Sequence, residues 1–344
     1  MASKRRDLAA WAGPLIFTVI LFAAAEIVLR LAGFQYALTP IGLRYATTIA
    51  GIGGVNRGFH VTYALDPVLL WKPVYTQGST NSDGFIGPEW KKDKSPGTKR
   101  VVVMGDSCTI AGDPTYPEIL GKKLPGNIEV LNAGVGSWSS YQGLQLLRTR
   151  LLAFKPDAVT IYFGWNDHWL AWSAPDKDLS RVISNQWRVR NAANSSRVLQ
   201  ALMKLIVWAR GGPRFGPATP YRVAIDDYES NLREMVRLIQ SIGAKAVLVT
   251  APTVLTPDHP VTRQLCEDTH NFFDPKQIRS THAAYNERVR RVANDTGATL
   301  VDLEKDFATT PDPRVYFTDG IHLTAAGHER AAAALRRALA RLGF

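Results

Sequence analysis

Cysteine is scarce: Cys108 and Cys266 are the two in 344 residues, so no disulfide framework holds this chain together. Metal-ligand patterns are missing too. The sequence has no H-E-x-x-H and no paired C-x-x-C, and its seven histidines are spread out, so neither a metal nor another cofactor is expected. Gly134-x-Gly136 follows an apolar run like the start of a dinucleotide fingerprint, but Ser139 stands where its third glycine would be. No G-x-S-x-G occurs, which removes the strand-to-helix elbow that this motif marks. Internal repeats and low-complexity tracts are absent as well, which excludes solenoids and arrays.

What is present is ordinary for a folded protein, with 46% hydrophobic and 21% charged residues. The 41 basic and 30 acidic residues give a formal net charge of +11. The bases are scattered, many on helix faces such as Arg330, Arg336, Arg337 and Arg341, and no nucleic-acid-binding motif accompanies them. No nucleic-acid partner is expected. Attraction to an anionic membrane surface fits the charge better.

Lys4, Arg5 and Arg6 precede an uncharged run from Leu8 to Ala25, at the lower limit of length for a spanning helix. Glu26 ends the run. Arg30, one helical turn on, can pair with it, and Ile27, Val28, Leu29 and Leu31 extend the apolar surface. Positive charge before the span predicts a single-pass protein with a cytoplasmic N-terminus, membrane contact through residues 8–31 and an extracytoplasmic body. The competing reading is a cleaved secretory signal, with Leu15 to Phe22 as its core and Ala23-Ala24-Ala25 as its small-residue site. The anchor is preferred because the apolar pattern continues beyond Ala25.

Residues 1–34 are thus expected to form a cytoplasmic tip and anchor. Residues 35–98, rich in Gly, Pro, Thr and Tyr, read as an extracytoplasmic lead-in or stalk, with a turn at Asn81-Ser-Asp-Gly-Phe85. From residue 99 to 344 short apolar runs alternate with helical patterns. Strands are predicted at Val101–Met104, Ile128–Leu131, Ala158–Phe163, Ala246–Thr250 and Thr299–Leu303, and helices near 140–153, 226–242, 281–296 and 324–341. Runs apolar on both faces belong in a parallel sheet covered by helices, which predicts an α/β, three-layer domain with its site at the carboxyl ends of the strands. Residues 168–222 interrupt this rhythm with Trp169, Trp172, Trp187, Trp208 and an amphipathic helix around Ser196 to Arg210. That insertion reads as a lid or substrate wall, or as an ordinary surface helix packed on the core.

Ser107 falls at the end of the first predicted strand, in Gly105-Asp106-Ser107. A serine there is most often a helix N-cap; a serine that attacks needs a base, a group that orients the base, and donors for the developing oxyanion. The spacing Asp319-x-x-His322 can place a carboxylate beside an imidazole within one turn. Asn132-Ala-Gly-Val-Gly-Ser137 and Gly164-Trp-Asn-Asp167 follow the second and third strands, so the N–H groups of Ser107 and Ser137 and the Asn166 amide are candidate donors. His328 is a rival base, read as structural, and Cys108 as packing. Asp106 is expected to support the turn, and Asp167 to hold the Asn166 loop.

These four blocks, in this order, resemble the SGNH hydrolases, or GDSL-type esterases, and the anchor followed by Gly33-Phe34 is similar to membrane-anchored members. The resemblance implies a flavodoxin-like, five-stranded sheet in the order 2-1-3-4-5. It also implies Ser107 as nucleophile, His322 as base and acid, Asp319 as its partner, and Ser107, Ser137 and Asn166 as oxyanion donors. Ser137 is a departure, since the family's oxyanion glycine falls on this position. The implied function is an exported serine ester hydrolase, of an acylesterase or deacetylase kind, working through an acyl-enzyme on an ester-bearing small molecule, lipid or glycan. The alternatives are an acyl- or acetyltransferase modifying a cell-envelope polysaccharide or glycan and, from another class, a catalytically silent envelope binding protein.

Overall fold

The computed structural model describes residues 2–36, with side chains from Gly13 onward, and residues 63–74, 80–171, 173–211, 216–267 and 272–344. Helix α1, Ala2–Leu31, is followed by an antiparallel hairpin of β1, Tyr63–Asp66, and β2, Leu70–Pro73. The main sheet comprises β3, Lys99–Gly105; β4, Ile128–Gly134; β5, Ala158–Tyr162; β6, Lys245–Val249; and β7, Thr299–Val301. All its neighbours pair in parallel, in the spatial order β4-β3-β5-β6-β7. That is the predicted 2-1-3-4-5 order. β4 outruns the predicted Leu131 because it continues to pair with β3 as far as Gly134.

Successive side chains of a strand point to opposite faces, so a strand apolar at every position needs a core on both sides. Val102 and Met104 enter one core with residues of α4, Ser140–Thr149; α7, Ile225–Ser241; and α9, Ile278–Thr296. Val101 and Val103 enter the other with residues of α3, Tyr116–Lys123, and α11, Ala325–Arg341. The three-layer α/β/α architecture follows from that alternation.

Part of the stretch expected as a lead-in lies inside this body: Leu65, Leu69, Trp71, Phe85 and Trp90 belong to the first core. The 168–222 segment contains α5, Asp176–Asn194, and α6, Arg197–Ala209, the second lying where an amphipathic helix was expected and capped by Ser196. Asn191 of α5 holds β1 through both backbone groups of Leu65, at 3.0 and 2.9 Å. Trp172 lies outside the described residues. Cys108 and Cys266 are not joined in a disulfide.

Candidate active site

β3 ends at Gly105 because the chain must turn into a short helix, α2, Ser107–Ile110, lying against the strand ends. A Cβ at Gly105 would come within 2.0 Å of Thr109 Oγ1. Asp106 caps α2, its Oδ1 accepting from Cys108 N at 2.9 Å. Ser107 is thus the first residue of that helix, not its cap.

Ser107 Oγ lies 2.9 Å from His322 Nε2, and His322 Nδ1 lies 2.6 Å from Asp319 Oδ2. Because Nδ1 faces a carboxylate it carries the proton, which leaves the Nε2 lone pair to accept from the serine hydroxyl. Asp319 is itself fixed, since its Oδ1 accepts from the N–H groups of Ile321 and His322 at 2.9 and 2.7 Å. Gly320 permits this turn: its φ is +89° and a Cβ would meet Leu255 Cδ2 at 2.5 Å. Burial disfavours the charged imidazole, but the adjoining Asp319 carboxylate outweighs it, and His322 titrates above the ordinary 6.5. Burial alone would raise Asp319; the His322 and backbone hydrogen bonds win and hold it below its usual value.

The loops after β4 and β5 leave the sheet beside this turn, because Gly105 is in register with Gly134 and Tyr162. Asn166 Nδ2 donates to Asp106 Oδ2 at 3.1 Å, which ties the third block to the first. Asp106 is pushed up to about 6 by burial. Asp167 Oδ1 accepts from Ser140 N at 2.9 Å, and burial raises this carboxyl to about 7. Ser137 sits at φ +64°, in the left-handed region that glycine occupies at little cost. Its N–H meets no acceptor among the described residues.

One charged cluster beside Ser137 had no motif to announce it. Arg222 donates through Nη1 to Ser137 O at 2.8 Å, and through Nε and Nη2 to Asp176 at 3.2 and 2.9 Å. Ser139 Oγ donates to the same carboxylate at 2.6 Å, and Arg222 Nη2 also reaches Gln142 Oε1 at 3.1 Å. Asp176 and Arg222 lie at opposite ends of the 168–222 segment, and neither belongs to a local pattern. The cluster fixes the loop that carries Ser137.

The rival groups are committed elsewhere. His328 accepts from Tyr116 N at 3.1 Å and donates to Ala111 O at 2.7 Å, so both its nitrogens are used. Cys108 is wholly buried, with its thiol pushed well above the ordinary value by that burial. Among the described residues no group of three or more His, Cys, Asp or Glu is arranged to hold a metal ion. A cavity of about 460 Å³ between α4 and α7 is lined by Tyr141, Arg148, Arg222 and Glu234 among others, and by none of Ser107, Asp319 and His322.

The family described as GDSL-like Lipase/Acylhydrolase matches residues 103–330. A curated relative, the isoamyl acetate-hydrolyzing esterase 1 homolog of Mus musculus, is 24% identical over 245 residues, covering 67% of this chain and 77% of its own. A lipase/acylhydrolase structure from Enterococcus faecalis has 19% identity and a TM-score of 0.45, covering 70% of this chain and 94% of its own. An acetyl xylan esterase structure from Geobacillus stearothermophilus has 19% identity and a TM-score of 0.42, with coverages of 72% and 96%. The chain belongs to the GDSL-like lipase/acylhydrolase family and is a hydrolase that acts on esters.

Proposed function

We propose that this chain is a membrane-anchored, exported serine esterase whose reaction passes through an acyl-enzyme at Ser107. The observation that carries this reading is the hydrogen-bonded line from Ser107 through His322 to Asp319. As Ser107 Oγ attacks the ester carbonyl carbon, its proton passes to His322 Nε2 and Asp319 stabilises the imidazolium. The carbonyl oxygen becomes an oxyanion facing the N–H groups of Ser107 and Ser137 and the Asn166 amide. Collapse breaks the C–O bond to the alcohol, which leaves with the His322 proton. Water then attacks the acyl-enzyme, gives its proton to His322, and the acid departs as Ser107 regains its hydrogen.

Anchoring is supported by α1, whose stretch Gly13–Leu31 has a mean hydropathy of 2.1 and is long and apolar enough to cross a membrane. Its end is also held by the rest of the chain: Glu26 accepts from Arg197 N and Val198 N, each at 3.0 Å. A segment so engaged suits a retained helix better than a discarded leader. Residues 1–34 then form the anchor, and the charge bias at Lys4–Arg6 leaves the N-terminus cytoplasmic and the hydrolase domain, 99–344, outside. The name of the mouse relative suggests short acyl esters as first substrates. The test is turnover of p-nitrophenyl acetate and longer esters by the full chain against Ser107→Ala, with and without a sugar acceptor. Nitrophenol release by wild type alone is the expected result. Equal release by folded Ser107→Ala would overturn the assignment, and acyl transfer to the sugar would redefine the enzyme as a transferase.

A further inference from the structure

α1 and α6 lie side by side. Glu26 meets residues 196–198 at the start of α6, with Ser196 Oγ donating to Glu26 Oε2 at 3.0 Å, while Lys204 Nζ stands 5.5 Å from the Phe34 ring centre. Beyond Phe34, Tyr36 N donates to Gln200 Oε1 at 2.8 Å. The end of α1 and the residues just after it thus lie against the first two turns of α6.

Along this edge the polar groups are paired and the apolar ones are not. Arg30 closes a salt bridge with Glu26 at 2.7 Å and donates to Ser195 O at 2.7 Å. Leu199, Leu202, Met203 and Leu205 face outward, Leu202 and Leu205 at 51% and 56% exposure, next to a helix whose own Ile27, Val28 and Leu31 are exposed. On the helical wheel Leu199, Leu202, Met203 and Leu205 share one side, with Arg197 and Lys204 on the other. A contiguous apolar surface of this kind marks an interaction site. Proximity to α1 identifies the partner: the bilayer that α1 crosses ends beside the start of α6.

We propose that α6 is a second membrane-seated element, whose exposed apolar face enters the outer interface of the bilayer that α1 crosses. The proposal rests on the retained-anchor reading. Its Leu and Met side chains bury in the acyl boundary, while Arg197, Lys204 and Arg210 reach the headgroups, as in interfacial amphipathic helices. Glu26, saturated by Arg30 and by donors from α6, tolerates this position because no unpaired charge leaves water. The Asn191–Leu65 clamp then holds β1 near the same surface. A Cβ on Gly136, the neighbour of Ser137, would lie 3.5 Å from Tyr63 Oη of β1.

The test uses the full chain in phosphatidylcholine–phosphatidylglycerol vesicles, with Leu202→Trp as a reporter at an already exposed position. Flotation after alkaline carbonate reads the anchor, and quenching by lipids brominated near the headgroup reads α6. The expected result is that the protein floats and the added fluorescence is lost only in brominated vesicles, with Leu205→Trp behaving alike. Flotation without quenching would overturn the proposal and leave the anchor standing. Failure to float would overturn both. Unquenched fluorescence together with self-association abolished by Leu202→Asp would assign the face to a second copy and likewise overturn it.

Discussion

At the carboxyl end of the sheet, Ser107, Asn166 and His322 are buried, Ser107 hydrogen-bonded to His322 and Asn166 to Asp106. Along the α1–α6 edge, by contrast, Leu202, Leu205 and Trp208 face outward, and the side-chain pairing converges on Glu26. In the first region Ser107, Asp106, Asp319 and His322 are paired inside the protein, while the Ser137 N–H and Asn166 Oδ1 meet no partner among the described residues. The second leaves apolar surface in water, a cost that only another phase or chain removes. The two regions therefore differ in which kind of group lacks company: a few buried polar atoms at the candidate site, and apolar side chains along the α1–α6 edge.

The largest effect that would break this contrast lies in the buried region. Asp319→Asn retains the shape of the side chain but removes the charge that orients His322 and raises its pKa, and kcat is expected to fall by about 10⁴-fold. The base must be neutral to accept the serine proton, so wild-type activity should rise with pH through a pKa above 6.5. In any residual activity of Asp319→Asn that acid limb should move to lower pH; an unmoved limb would remove Asp319 from its role.

Next in size is the comparison of two arginines. Arg222→Met strands the Asp176 carboxylate, 3% exposed on its side chain, and should cost about 3–5 kcal/mol in denaturant unfolding. Arg30→Met removes one of several donors to Glu26, whose carboxylate keeps those from Ser196, Arg197 and Val198, and should cost much less than Arg222→Met. Equal losses from the two would mean that the buried Arg222–Asp176 pair costs no more to break than the Arg30–Glu26 pair. The smallest effect is expected from Ser137→Gly, which keeps the backbone N–H and relieves a left-handed conformation worth about 1 kcal/mol. Activity should persist and stability should rise slightly; a large loss of turnover would mean that the buried Ser137 hydroxyl has a role of its own.

The regions also differ in how far the sequence disclosed them. Each of the five sheet strands appears at its apolar run, and Ser107, Asn166, Asp319 and His322 stand in short motifs whose order implied their meeting. Arg222 and Asp176 carried no such signal, since a single ion pair between distant residues leaves no period and no local spacing. The packing of Trp71 was equally hidden, because the Gly- and Pro-rich composition around it suggested a stalk while its burial depends on helices far along the chain. Glu26 was legible as the end of an apolar run and Ser196 as a helix start, but their contact, 170 residues apart, was not.

On the proposed mechanism Ser107 is a nucleophile activated by His322. The most direct measurement treats the folded full chain with a fluorophosphonate near neutral pH and maps the adduct by peptide mass spectrometry. A single phosphonyl group on Ser107, lost in Ser107→Ala and in His322→Ala, is the predicted result. An unmodified Ser107 in folded wild type, or labelling that persists without His322, would contradict it.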